Sequence, residues 1–426
     1  MTGADAGPSV ESRFAEALGR ITGGARPSLG VAVSGGGDSV ALLHLAARAG
    51  AAARIASVDH GLRPGSAAEA AAVAAASSAL GLPHDILRFH WDGTGNLQAA
   101  ARDGRRALLA DWAARHGLAG VLLGHTRDDQ AETLLLRLAR GSGVEGLAGM
   151  EEGRAGRTLA LRPFLGIGRE ELRDWLRANG IGWAEDPSNE DERFERVRAR
   201  RAIAALGLDP VRLAATAARM ARAREALELR AHGIAAALVR PALPGDVALD
   251  RAGLLATDED TRRRILAGAL RAVAGAAYRP AETGLSRLLD AIRSGETRTL
   301  MGCVLRGGGE AVLIHRELAA VEDTGAPAAG GLWDGAWRAE GAPEGSELRA
   351  LGAGGLLRIA SGEGEEEAAA FAALPEGYPR AALAAKPALW RGARLLGFAP
   401  LRWGEAYRLR WTPPGGPFPE SLLTRG

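Results

Sequence analysis

Lysine is almost missing from this 426-residue chain: Lys386 is the only one, and arginine carries the rest of the positive charge. A guanidinium stays charged at physiological pH and grips phosphate through two parallel hydrogen bonds, so basic surface built this way suits an anionic partner. Cysteine is equally scarce. Cys303 stands alone, which excludes an internal disulfide and any Cys-x-x-Cys metal or redox site. Aromatic residues make up only 4%, so the cores must rest on Leu, Val, Ile and Ala. No uninterrupted apolar run approaches membrane-spanning length, and the stretch from Met1 to Arg20 contains Asp5, Glu11 and Glu16 with no apolar signal-peptide core. A cytoplasmic protein with no membrane partner is expected.

What is present describes a globular protein, with 47% hydrophobic and 24% charged residues. The length predicts two or three domains. Formal net charge is only +2, but it is unevenly spread: from Arg193 to Arg230 ten arginines face four acids. Clustered basic charge of this kind is what nucleic-acid backbones recruit.

The first half alternates apolar runs with amphipathic ones. Leu29–Val33 reads as a buried strand, Ser34–Ser39 as a glycine-rich turn and Val40–Ala49 as a helix. Strands follow at Arg54–Val58, Asp85–Phe89 and Val121–Leu123, with helices at Glu69–Leu80, Asn96–His116 and Asp128–Ala139. This alternation predicts an α/β fold with a doubly wound parallel sheet, whose ligands bind beyond the carboxyl ends of the strands. A short helix carries Leu172, Trp175 and Leu176 on one face. Trp175 and Trp183 are expected in the core. Leu206–Ser294 reads as mostly helical, and Thr299–Val304 and Ala311–His315 as a hairpin around Gly307–Gly309. Asp323–Gly331 reads as a linker to a small C-terminal domain. The expected division is residues 1–205, then a mainly helical domain over 206–322, then residues 332–426.

Ser34-Gly35-Gly36-Gly37-Asp38-Ser39 lies between a strand and a helix, where backbone N–H groups and the helix dipole converge on an anion. It fits neither G-x-x-x-x-G-K-[ST] nor G-x-G-x-x-G. An aspartate beside phosphate repels it unless a cation bridges the two, which makes Asp38 a candidate Mg²⁺ ligand. The plainer alternative is a tight turn with Asp38 or Ser39 capping the helix. After the fourth strand, Asp128, Asp129 and Glu132 open the next helix. They suit either recognition of an amine or simple helix capping.

Ser-Gly-Gly-x-Asp-Ser after a first strand resembles the signature of the PP-loop ATP pyrophosphatases, which cleave ATP between the α and β phosphates. Further stretches resemble the tRNA(Ile)-lysidine synthases in order and spacing. They are Asp59-His60-Gly61-Leu62-Arg63, Asn96-Leu97-Gln98 with Ala101-Arg102, Gly124-His125-Thr126-Arg127-Asp128-Asp129-Gln130-Ala131-Glu132-Thr133, Arg140-Gly141-Ser142-Gly143 and Glu185-Asp186-Pro187-Ser188-Asn189. The resemblance is close over about Val31 to Arg201, looser to the hairpin near His315 and weak beyond. Thr126, Arg106 and Val197 stand where that family commonly has histidine, an aromatic residue and asparagine.

The resemblance implies ligation of free L-lysine to the wobble cytidine of isoleucine tRNA with a CAU anticodon, through an adenylated base, with ATP and Mg²⁺ consumed or bound. Ser34, Gly35, Gly36, Gly37, Asp38, Ser39, His60 and His125 would bind the nucleotide, with Mg²⁺ on Asp38. Asp128, Asp129 and Glu132 would hold the substrate lysine. Asp38, Arg102, Asp129 and Glu132 would carry the chemistry. Arg105, Arg196, Arg198, Arg200 and Arg201 would meet the tRNA, and the C-terminal domain its acceptor arm. A homodimer is admitted as an assembly. The rival readings are another PP-loop tRNA-modifying enzyme such as a thiolase, or a nucleotide- and RNA-binding protein without chemistry.

Overall fold

The structure is a computed structural model that describes residues 8–59, 66–91, 97–155, 159–185, 193–276, 278–361, 371, 374 and 378–423. The chain forms two compact units, residues 1–224 and 225–426.

In the first unit, strands β1 (Leu29–Ala32), β2 (Ala52–Asp59), β3 (His84–Arg88), β4 (Val121–Leu122) and β5 (Ala160–Leu161) form a parallel sheet in the order β3-β2-β1-β4-β5. Helices α1 (Val10–Thr22), α2 (Gly37–Arg48), α3 (Ser66–Ala79), α4 (Leu97–Arg115), α5 (Arg127–Ala139), α6 (Val144–Leu147), α7 (Arg169–Ala178) and α8 (Glu195–Ala205) connect and cover it. Side chains of a strand alternate between faces. Leu29 and Val31 of β1 therefore join Phe14, Leu42, Leu43, Leu172 and Trp175 in one core, while Ala32 faces Leu109 and Trp112 in another. Both faces are buried, which is why β1 is apolar throughout and why the sheet is doubly wound. The chain runs outward from β1 through β2 to β3, then returns to lay β4 beside β1. The crevice at this reversal is where such sheets bind ligands, and the turns after β1 and β4 both open onto it.

α9 (Pro210–Leu238) leads to a second sheet in the order β6-β7-β10-β9-β8. Its strands are β6 (Val239–Arg240), β7 (Val247–Asp250), β8 (Thr297–Leu300), β9 (Cys303–Arg306) and β10 (Ala311–Arg316). α10 (Arg251–Ala256), α11 (Glu259–Ala274) and α12 (Glu282–Ser294) lie between β7 and β8, and Ile265, Leu270, Leu285 and Leu289 share a core with Leu249, Leu305 and Ile314. A third sheet runs β11-β13-β14-β15-β16, with β11 (Gly325–Pro327), β12 (Trp337–Glu340), β13 (Glu347–Ala350), β14 (Pro387–Arg391), β15 (Arg394–Phe398), β16 (Trp403–Gly404) and β17 (Arg408–Trp411); β12 pairs separately with β17. α13 (Gly352–Ala360) and α14 (Arg380–Ala384) complete it. Among the described residues no helix is long and apolar enough to cross a membrane.

Several local expectations change. Thr299–Val304 is not one strand, because Met301 and Gly302 both adopt left-handed φ and turn β8 back on β9. β6 and β7 escaped the sequence reading because each is too short to show a period. Asp323–Gly331 contains edge strand β11, where Pro327 is tolerated since its missing N–H faces no partner strand. Trp175 is buried as expected, but Trp183 is only half-buried.

Candidate active site

The glycine turn is shaped by its own residues. Gly35 has φ +92°, a conformation open to glycine and strained for any other residue. Ser39 is buried at 8% exposure; its hydroxyl accepts from the Ser34 N–H at 3.2 Å and donates to the Gly36 carbonyl at 2.8 Å. That hydroxyl therefore holds the turn closed. α2 starts at Gly37, earlier than Val40, and its N-cap Gly36 supplies no side-chain partner to the first-turn amides. A helix N-terminus whose N-cap residue offers its first amides no side chain, beside a turn held by its own serine, is a ready anion cradle. Among the described residues, only the Ser34 hydroxyl comes within 4 Å of where a Gly36 side chain would lie. On the other side, the Ala184 N–H donates to the Gly35 carbonyl at 3.0 Å and the Trp183 ring lies over Gly37. Trp183 thus serves the turn, with the core only behind it.

At β4 the chain comes very close. A Cβ on Gly124 would lie 3.1 Å from the Asp38 carbonyl oxygen and 3.3 Å from the Ser39 Cα. Glycine is required there so that the N-terminus of α5 can sit beside that of α2. Thr126 caps α5: its hydroxyl accepts from the Asp129 N–H, while Asp129 Oδ2 accepts from the Thr126 N–H at 2.7 Å and hydroxyl at 2.9 Å. Capping thus falls to Thr126 and Asp129. Asp128 is used elsewhere, with Oδ2 accepting from the first backbone N–H of α7, that of Arg169, at 2.8 Å. Glu132, one turn on, takes no part in the cap.

Arg169 ties these pieces together. Its Nε donates to Asp38 Oδ2 at 3.1 Å and Nη2 to Asp129 Oδ1 at 3.3 Å, and Nη1 lies 3.5 Å from Glu132 Oε1. Arg200 adds a bond from Nε to Glu132 Oε1 at 2.9 Å, and Arg196 stands 3.8 Å from Asp129 Oδ1. Glu132 itself is 1% exposed, and among the described residues its Oε2 has no hydrogen-bond partner.

Charge follows from this crowding. Burial raises the Asp38 and Glu132 carboxyls above their ordinary values, with the neighbouring Asp129 charge adding to it, because Arg169 at Asp38 and Arg200 with Arg169 at Glu132 do not fully offset the desolvation. Asp129 is held below the usual range: burial opposes its charge, but Arg169 and the Thr126 amide outweigh it. Burial presses the Arg169 guanidinium toward neutrality, yet the three carboxylates reverse this and hold it firmly charged. His125, at the end of β4, accepts from Arg162 Nε at 3.2 Å, and burial lowers its pKa to about 4. It is a neutral imidazole at physiological pH.

Other predicted residues fall as follows. Arg105 is half-buried on α4, where burial and Arg196 lower its pKa; Arg102 is exposed on the same helix. Arg198 and Arg201 are exposed on α8. His60 lies outside the described residues, as do Gly61–Arg63, Asn96 and Asp186–Asn189. Among the described residues no three His, Cys, Asp or Glu side chains make a self-contained metal site. One carboxylate plus phosphate oxygens is nonetheless the set Mg²⁺ commonly takes, and burial raises the pKa of the half-buried Asp38 carboxyl, so a cation there stabilises its charged form. Asp38 fits the metal in that sense.

Sequence reading missed Arg169 and Arg162. For Arg169 a signal existed. It is the first residue of a helix, where the dipole disfavours a cation, so its place there requires carboxylates opposite it.

A parallel sheet with Ser-Gly-Gly-Gly-Asp-Ser at its reversal defines a PP-loop ATP-binding protein, and residues 8–206 match the model of the PP-loop domain. The tRNA(Ile)-lysidine synthase of Ruegeria pomeroyi is 47% identical over 383 residues, 88% of each chain. Those of Methylobacterium nodulans and Methylobacterium sp. are each 43% identical, covering 73% and 69% of this chain and 96% and 90% of theirs. The chain belongs to the tRNA(Ile)-lysidine synthase family, a family of tRNA-modifying ligases.

Proposed function

We propose that this protein ligates free L-lysine to the wobble cytidine of isoleucine tRNA with a CAU anticodon, releasing AMP and pyrophosphate. One observation carries the reading: a single guanidinium spans the carboxylate at the phosphate cradle and the two carboxylates of α5. A nucleotide on one and an amine on the other would meet across one crevice.

In the first step the cytidine ring carbonyl oxygen attacks the α-phosphorus and the bond to pyrophosphate breaks. The backbone amides of Gly35 to Asp38 hold the phosphates. Asp38 would hold Mg²⁺, which screens phosphate charge when bound. Trp183 and Ala184 brace the cradle, and His125, held neutral, lies where a base or adenosine could be contacted without adding charge. Arg105 and Arg196 offset charge developing near the α-phosphate.

In the second step the lysine ε-amine attacks the ring carbon and AMP leaves. Holding that amine neutral at pH 7 costs about 4.6 kcal/mol from its free pKa of ~10.4. Glu132 Oε2 accepts the ammonium N–H, and Asp129, held ionised, supplies a second negative charge. The raised pKa of Glu132 makes it a better proton acceptor than an exposed carboxylate. Arg198 and Arg201 meet the tRNA backbone, and residues 206–322 and 332–426 hold the rest of the RNA.

The test supplies ATP, Mg²⁺, labelled lysine and isoleucine tRNA with a CAU anticodon. Equal amounts of AMP and tRNA-bound lysine are expected. AMP release with no lysine transferred would refute the reading. A sulfur-transfer reading has less support, because burial in β9 pushes the Cys303 thiol up to about 12.

A further inference from the structure

Arg169 does more than neutralise its neighbours. Its backbone is pinned by Asp128, its helix by the pairing of Arg127 with Glu171 at 2.9 Å, and its side chain is only 15% exposed. The guanidinium is thus fixed at its root and divided at its tip, with Nε on Asp38 and both Nη atoms on the α5 carboxylates. Arg196 and Arg200, which also reach those carboxylates, are 46% and 42% exposed and are held from outside. The cluster balances three carboxylates against three guanidiniums, while Glu132 Oε2 stays buried and unpartnered among the described residues.

We propose that Arg169 is a positioning residue that couples the two halves of the site, so that nucleotide binding at the glycine turn strengthens amine binding at Asp129 and Glu132. The inference rests on the ligation reading above. Phosphates arriving at the turn bring negative charge beside Asp38, and where Mg²⁺ takes Asp38 the Arg169 Nε gives up that carboxylate and is drawn to the phosphate oxygens instead. Each fraction of Arg169 transferred in that direction uncovers Asp129 Oδ1 and Glu132 Oε1, leaving the pocket more negative for an ammonium. Before nucleotide binds, the same guanidinium occupies those oxygens and competes with the amine. The order of events follows: lysine is taken up well only by a protein already holding its nucleotide. Coupling between sites falls in the range of about 5- to 150-fold in affinity.

The test is calorimetric binding of L-lysine to the full chain, with and without Mg²⁺ and an ATP analogue bearing a methylene between the α and β phosphates. The wild type is expected to bind lysine at least about 5-fold more tightly with the analogue present. Arg169→Met should bring that ratio close to one. Arg169→Lys keeps a charge but cannot span three carboxylates, so its ratio should fall as well while its melting temperature stays nearer the wild type. This second variant covers the case in which Arg169→Met does not fold. A purely structural role would lower melting temperature and leave the ratio intact, overturning the proposal. So would a wild-type ratio near one. Failure of the wild type to bind lysine under either condition would overturn the ligation reading as well, whereas lysine binding with an unaltered ratio overturns the coupling alone.

Discussion

Glu132 is a carboxylate that its surroundings make hard to ionise, and this separates its cost from its use. Burial raises its pKa above 4.5 in the folded protein. A raised folded pKa means that the stabilising proton is fully present below the unfolded value and lost as pH rises through the folded one. At pH 7 the ionised side chain is therefore a net load. Glu132→Gln keeps the shape without the charge and should melt no lower than the wild type at pH 7, while lysine transfer to tRNA is lost and tRNA-dependent AMP formation persists. Loss of both activities together would remove Glu132 from the amine side. His125 gives the opposite pH behaviour. Its folded pKa of about 4 lies below the ordinary histidine value of 6.5, so the unfolded chain binds the extra proton between those limits. Stability should fall as pH drops through that window, and His125→Gln should flatten the fall; melting curves recorded from pH 7 to 4.5 decide it.

At the level of elements, the site is made by helix beginnings. α2, α5 and α7 all start beside the crevice, so three positive dipole ends gather there and the carboxylates answer them. The cap on α5 links stability to function, because the Asp129 oxygen that accepts from Thr126 orients the other toward Arg169. Thr126→Ala should cost about 1 kcal/mol of stability, seen in denaturant titration. It should also raise the KM for lysine more than that for ATP. An unchanged lysine KM would show that the cap and the site are independent. Gly124→Ala is a harsher change: its Cβ would meet backbone of Asp38 and Ser39, which cannot rotate aside. A loss of about 1–3 kcal/mol is expected, with ATP use impaired through displacement of the turn.

For the molecule as a whole, charge is distributed by task. Arg198 and Arg201 face outward on α8, so Arg198→Gln or Arg201→Gln should weaken tRNA binding and lower its salt dependence by about one unit of slope, without moving the lysine KM. The chain's single lysine has a contrary role in the second unit. Lys386 is 3% exposed, donates to the Pro244 carbonyl at 2.8 Å and pairs with Asp246, which also accepts from Tyr378. Lys386→Met would strand the Asp246 charge and should destabilise this unit by about 3–5 kcal/mol, measured by chemical denaturation. Sequence alone determined the β-α alternation, the parallel sheet, the glycine turn and the candidacy of Asp38, Asp129 and Glu132, because periodicity and short motifs are local properties of the chain. It left open whether the acids on α5 cap a helix or face a ligand. Only the tertiary structure divided those duties, giving the cap to Thr126 and Asp129, Asp128 to α7, and leaving Glu132 Oε2 free of partners among the described residues. It also brought in Arg169, 131 residues from Asp38, a pairing that no local pattern encodes because it depends on β4 returning to lie beside β1.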